Sequence, residues 1–302
     1  MRYCAIDIGS NSVRHLLIEY EPDGLLLYRG SGSTITRITE GSSQGRLVLR
    51  ETAVKRTLDV VGRIRSFLDD EGVPRNNRFL FATESLRMAE NSDHVKTRLE
   101  MEAGVPMELL SGNREAQLGQ KGATCSFGPY TTTFDLGGGS LEISNEEMSL
   151  SFPLGAVRMT NRFGERTGEI EKEVSLHIGA SVPKLTGQLI GVGGTSSSVV
   201  MMNEGIPVNS YAPSLVHGKR VTLDSLDSLI SIITDPRVDR QKITGLEPLR
   251  SDIIIAGISV IKAVLKEFHV MGYIHSETGI LWGFLVDKLQ QRGFFVKGIA
   301  FE

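Results

Sequence analysis

Cysteine is scarce in this chain of 302 residues. Cys4 and Cys125 are the only two, each in or beside an apolar run and without metal-ligand spacing. That excludes a disulfide-built scaffold and suits buried thiols in a reducing compartment. Long hydrophobic runs are lacking too. None approaches the roughly 20 residues a membrane span needs. Excess charge of one sign is also missing: the formal net charge is -3. No general basic field for nucleic acid exists, so a polyanionic ligand needs a local basic site. His15, His177, His217, His269 and His275 are scattered without a zinc pattern and are expected on the surface or as satisfied core groups. Met1-Arg2-Tyr3-Cys4 runs straight into a strand pattern, so no signal peptide is expected. These absences lead to the expectation of a soluble, cytoplasmic protein with neither membrane nor nucleic acid as partner. At 40% hydrophobic and 23% charged residues the composition is ordinary globular, and the length suits two domains or one large one.

What the chain does have is glycine turns after apolar strands. Residues 133–143 hold an apolar run ending in Asp135, then Gly137, Gly138, Gly139 and Ser140, then Leu141 and Ile143 alternating with Glu142 and Ser144. That reads as strand, glycine turn, strand. Backbone N–H groups in such a turn can face an anion, and the missing side chains let phosphate approach. A carboxylate at the lip suits a divalent cation bridging to that phosphate. A plain glycine hairpin capped by an Asp fits the same residues. A second copy of the design opens the chain: a short strand ending in Asp7, a turn through Gly9, Ser10, Asn11 and Ser12, then a strand over 13–20 and another over 25–30. The weak repeat suggests two similar lobes. A third glycine turn, Gly193-Gly194-Thr195, follows a buried strand over 188–192 and precedes a helix expected from about Val199. Strand, turn and helix N-terminus is another anion-binding arrangement.

Between these turns, residues 36–50, with Gly41 and Gly45, read as a surface loop. Apolar residues at 54, 58, 61, 64 and 68 predict a helix over 51–71. A strand over 78–83 leads into a helix whose first turn would hold Arg87, either a surface arginine or an anion ligand at a helix N-terminus. Glu115 falls in the first turn of a helix after Ser111. It is either an ordinary dipole-stabilised glutamate or a general base for water. Further helices are expected over 91–103, 156–163, 169–185, 223–233, 249–268 and 280–292. Short strands are expected over 107–110, 148–152 and 272–275, and an apolar end over 294–301.

In order, the segments Ala5 to Arg14, Ala82 to Arg87, Leu110 to Ala116, Phe134 to Glu142, Phe152 to Arg158, Gly191 to Thr195 and Gly245 to Asp252 resemble the motifs of the exopolyphosphatase / guanosine pentaphosphate phosphatase (Ppx/GppA) family. This family belongs to the actin–Hsp70–sugar kinase superfamily. The resemblance runs from residue 3 to about 288, and its Ser111-Gly112-x-x-Glu115-Ala116 stretch is the specific part. It implies an α/β chain of two ribonuclease-H-like lobes with the active site in a cleft between them. The expected lobes are 1–118, completed by 286–302, and 119–285. The chain resembles the short, two-domain form.

The resemblance implies hydrolysis of a terminal phosphoanhydride, releasing orthophosphate from polyphosphate or pppGpp. It gives Glu115 the water-activating role and links Asp135 and Glu142 to catalysis and metal, with Asp7 as the matching acid of the first hairpin. Arg87 and Ser10, Asn11 and Ser12 match phosphate contacts, joined by the turns Gly137-Gly138-Gly139-Ser140 and Gly193-Gly194-Thr195. The cation is expected to be Mg²⁺ or Mn²⁺, with K⁺ as a further one, and the assembly a homodimer. A kinase of the same superfamily, or a polyphosphate or pppGpp sensor without turnover, are the alternatives. Two departures stand out. Leu141 replaces the usual Thr of the hairpin, and Ile280-Leu281-Trp282 lacks the usual Arg-Glu pair.

Overall fold

The computed structural model describes residues 1–40, 47–181 and 184–301. The elements run β1 (Arg2–Ile8), β2 (Ser12–Tyr20), β3 (Leu25–Ile35), α1 (Glu51–Asp70), β4 (Arg78–Ala82), α2 (Glu84–Met88), α3 (Ser92–Ala103), β5 (Met107–Leu109) and α4 (Gly112–Phe127). They continue with β6 (Thr131–Leu136), β7 (Leu141–Ser144), β8 (Ser149–Phe152), α5 (Ala156–Phe163), α6 (Thr167–Ile178), β9 (Gln188–Val192), α7 (Gly194–Glu204), α8 (Pro213–Val216), β10 (Arg220–Thr222), α9 (Leu223–Thr234), α10 (Ile254–Glu267), β11 (Gly272–His275), α11 (Ile280–Gln291) and β12 (Gly298–Ala300).

The chain divides into two compact units, Met1–Leu118 with Ile280–Glu302, and Gly119–Gly279. The first is built on a six-stranded sheet in the order β12-β3-β2-β1-β4-β5. β1, β2 and β3 pair antiparallel, and β1, β4 and β5 run parallel. Residues 2–8 are almost continuously apolar because β1 is a central strand covered on both faces, and Cys4, Ile6 and Ile8 sit in the core. The apolar stripe of α1 through Val54, Val61, Ile64 and Leu68 packs into the same core.

The second unit repeats the plan. Its sheet has the order β10-β11-β9-β6-β7-β8. β6, β7 and β8 are antiparallel, and β6, β9 and β11 parallel. Helix α10 is apolar on nearly every side and correspondingly lies buried, with Ile254, Ile258, Ile261 and Leu265 in the core. The fold is thus mixed α/β with two sheets flanked by helices.

Several expectations shift. Residues 41–46 of the expected loop, with Gly41 and Gly45, lie outside the described residues, as do 182–183 of the expected 169–185 helix, whose described part ends as α6 at Ile178. The expected 249–268 helix is interrupted: Pro248–Arg250 forms a 3-10 turn and α10 starts only at Ile254. The apolar end becomes β12, which pairs in parallel with β3. The two family departures are packing positions. Leu141 is fully buried in the second core. Ile280 and Trp282 are buried in the first unit, where Trp282 stands edge-on to Phe301. No described helix is long and apolar enough to cross a membrane.

Candidate active site

The two Asp-to-Ser turns correspond position for position. In the first, Ile8 faces Val13 at the end of the β1–β2 ladder and Gly9 N donates to Ser12 O at 3.0 Å. In the second, Leu136 faces Leu141 and Gly137 N donates to Ser140 O at 3.0 Å. One difference sets them apart. Opposite Asp7 stands Arg14, and opposite Asp135 stands Glu142.

In the first unit Asp7 is fully buried, and its Oδ2 accepts from Arg14 Nε at 3.0 Å. Its Oδ1 is buried with no hydrogen-bond partner among the described residues, as is Asn11 Nδ2. Burial pushes the Asp7 carboxyl above the usual carboxylate range, against the pull of the Arg14 guanidinium. Ser10, Asn11 and Ser12 are all buried, and the Asn11 carbonyl accepts from both Thr36 N and Arg37 N, pinning the turn to the end of β3.

Ser111 caps α4: Arg114 N donates to Ser111 Oγ at 3.2 Å and Glu115 N to Ser111 O at 2.9 Å. Glu115 therefore sits in the first helical turn, 7% exposed. Arg87 Nη1 lies 2.8 Å from Glu115 Oε1 and also donates to Leu110 O. Arg87 is the fourth of the five residues of α2, where first and last turns overlap, and its N–H closes the first turn on Thr83 O. That helix has five residues, and its N-cap Thr83 makes no side-chain cap bond. Arg87 reaches Glu115 through its own side chain.

In the second unit the Gly137–Ser140 turn has its carbonyls occupied. Ala156 N donates to Gly137 O, Arg158 N to Gly138 O, and Arg158 Nε to Gly139 O. The amides of Gly138 and Gly139 have no backbone partner among the described residues, which suits an incoming anion. Gly155 makes this possible, since a Cβ there would lie 2.3 Å from the Gly139 carbonyl carbon. Asp135 and Glu142 are direct neighbours across β6 and β7, so their side chains share one face of the sheet. Ser151 Oγ donates to Glu142 Oε1 at 2.8 Å.

The third turn meets the same acid. Gly193 has φ +89°, and a Cβ on it would stand 2.3 Å from Asp135 Oδ1. Helix α7 begins at Gly194, five residues before the expected start at Val199. Its first turn is held residue by residue: the Arg250 guanidinium packs over Gly194, and buried Thr195 lies against Gly257 of α10.

Carboxylate oxygens from Asp7, Asp135 and Glu142 are the donors a hard divalent cation takes. In the first unit the partnerless Asp7 Oδ1 suits such an ion, and in the second unit, taken by itself, the directly opposed Asp135 and Glu142 suit one too. Among the described residues no group of three or more His, Cys, Asp or Glu side chains is gathered for a metal.

The scattered histidines hide one cluster. His217 and His275 meet at Glu277, together with Ser196, Ser197 and Tyr211. Their separation along the chain leaves no local signal; only Ser196 and Ser197, next to the third glycine turn, point there.

The Ppx/GppA phosphatase family model matches residues 29–292. A bifunctional 3-dehydroquinate synthase/phosphatase of Fusobacterium nucleatum is 28% identical over 315 residues, covering 95% of this chain and 46% of the relative. The chain thus spans about half the length of that relative. Exopolyphosphatase 1 of Mycobacterium leprae is 27% identical over 296 residues, covering 89% of this chain and 84% of that protein. The crystal structure of the Aquifex aeolicus member of the Ppx/GppA family superposes with a TM-score of 0.76 at 27% identity, over 97% of this chain and 98% of that one.

Proposed function

The chain belongs to the Ppx/GppA phosphatase family, and we propose that it hydrolyses the terminal phosphoanhydride of inorganic polyphosphate, of pppGpp, or of both. The observation that carries the reading is the buried Glu115 carboxylate, presented by a capped helix turn and held 2.8 Å from Arg87.

In this reading Glu115 accepts a proton from water as the water oxygen forms a bond to the terminal phosphorus. The bridging P–O bond breaks, orthophosphate leaves, and the chain is shorter by one phosphate. Arg87 orients the carboxylate and offsets charge gathering on the phosphoryl oxygens. The Gly138 and Gly139 amides of the Gly137–Ser140 turn, and the donors of Ser10, Asn11 and Ser12, receive phosphate oxygens. The Gly193, Gly194 and Thr195 turn does the same at the start of α7. Asp135 and Glu142 in the second unit, and Asp7 in the first, are the carboxylates that would hold divalent cations, Mg²⁺ or Mn²⁺. A bound divalent cation would supply positive charge that offsets the charge of the phosphoryl group. K⁺ as an additional cation and a homodimeric assembly complete the reading, the latter open to analytical ultracentrifugation.

Turnover in ¹⁸O-labelled water tests the reaction type. Hydrolysis places one ¹⁸O in each released orthophosphate. Phosphate transfer to an acceptor without labelled orthophosphate would overturn the reading in favour of a kinase, and binding without turnover would overturn it in favour of a sensor.

A further inference from the structure

Two consecutive serines in the first turn of α7, directly after the Gly193-Gly194-Thr195 turn, are each gripped by the chain that leaves β11. Ser196 Oγ lies 2.7 Å from His275 Nδ1, and Ser197 Oγ donates to Glu277 Oε1 at 2.9 Å. The His275 Nε2 to Glu277 Oε1 contact, at 2.8 Å, closes these into one ring. The ring is anchored outside itself. Tyr211 OH donates to Glu277 Oε2 at 2.7 Å, and Ser196 Oγ also bonds the hydroxyl of buried Tyr273 at 3.1 Å. Glu277 N donates to His217 Nδ1, whose ring tilts against Phe127 with centroids 5.0 Å apart.

Ser196 and His275 are almost wholly buried, so the Ser196–His275–Glu277 chain is no nucleophile for an outside substrate. Burying an imidazole, a carboxylate and hydroxyls costs stability unless every group is paired, and an apolar filling of the same space would hold the strand and helix together at least as well. A polar ring does something apolar packing does not: it fixes direction. With both serine side chains held, the rotation of the first α7 turn is set, and with it the direction of the Gly194 and Thr195 amides. Burial pushes the Glu277 carboxyl up, but the donors His275, Tyr211 and Ser197 outweigh it and keep the group below the usual range, as a charged anchor.

We infer that His275, through Ser196 and Glu277, is a positioning residue for the Gly193-Gly194-Thr195 phosphate turn. The inference rests on the proposed phosphohydrolase reading and adds the element that aims this turn at the substrate. It assigns His275 to binding of the phosphate chain and not to the chemical step at Glu115.

The test compares wild type, His275→Phe, Ser196→Ala, the double variant and His275→Gln, with tripolyphosphate as the probe. Losing the aim of one turn should raise KM about tenfold in His275→Phe and in Ser196→Ala, with kcat within about twofold. Because both substitutions cut the same ring, the double variant should be no worse than the weaker-binding single. Gln offers an amide donor towards Glu277 and an acceptor towards Ser196, so His275→Gln should recover most of the wild-type KM. An unchanged KM in His275→Phe, or penalties that multiply in the double variant, would overturn the inference while wild-type turnover left the functional reading standing. Should His275→Phe fail to fold, Ser196→Ala and His275→Gln carry the same comparison. A wild-type protein that neither hydrolyses nor binds tripolyphosphate would overturn both readings.

Discussion

Arg87 Nη1 sits 2.8 Å from Glu115 Oε1, joining the last turn of α2 to the first turn of α4. The contact gives a carboxylate that is 7% exposed a fixed direction and a counter-charge. Glu115→Gln keeps shape and hydrogen bonding but removes the proton acceptor. Phosphate release from polyphosphate should fall by about 10³-fold, while calorimetric binding of the same polyphosphate stays within about threefold. Loss of binding in step with turnover would place Glu115 in substrate affinity and not in proton transfer.

Asp7 separates activity from stability. An unfolded Asp loses its proton near about 3.9. Burial raises the folded value, partly countered by Arg14, so folding disfavours the ionised form. The carboxyl's contribution to stability therefore declines as pH rises through that interval, and at neutral pH the charge is a cost. Asp7→Asn should leave the melting temperature at pH 7 unchanged or higher and lower cation-dependent turnover by roughly 100-fold or more. A large fall in melting temperature would show that the Arg14 pair is a structural necessity.

Gly155 tests the second hairpin without touching a polar group. A Cβ there would stand 2.3 to 2.4 Å from backbone atoms of Gly138 and Gly139. Gly155→Ala should cost about 1–3 kcal/mol from forced overpacking and lower the melting temperature by several degrees. It should also raise KM, because the displaced backbone is the phosphate turn. Melting curves and steady-state kinetics on one preparation check both.

His217 makes stability sensitive to mild acid. Burial first, and then nearby His275, hold its ring below the ordinary histidine value, with Glu277 pulling the other way. His15 is lowered by burial alone. An unfolded histidine takes up its proton near about pH 6.5, before either folded ring does. Their contribution to stability is complete above that pH and is lost as pH falls below it towards their depressed folded values. Wild-type melting temperature should drop between pH 7 and pH 5, and His217→Asn should flatten part of that drop. Identical pH profiles would show that His217 does not contribute.

The Asp7 and Asp135 turns were legible because their signals are local: a short apolar run, an acid near its end, then glycine. The same holds for β9, whose span from Gln188 to Val192 follows from one apolar run. The start of α7 was not legible. Gly194, Thr195 and the serines after it are poor helix formers, and contacts with Arg250 and Gly257, far along the chain, hold them helical. The three-residue β10 carries too little pattern to register. Whether the replacement of the usual Thr by Leu141 matters to the turn was not legible; its pairing with Leu136 and burial in the core make it a packing residue. The His217, His275 and Glu277 cluster depends on tertiary approach of separate segments and had no sequence period to announce it.

Orthophosphate release, measured with polyphosphate, pppGpp and ATP side by side in Mg²⁺, tests the central claim most directly. The account predicts steady release from polyphosphate or pppGpp without any acceptor, and its loss in Glu115→Gln. No release from either substrate by the wild-type protein, or wild-type turnover in Glu115→Gln, would contradict it.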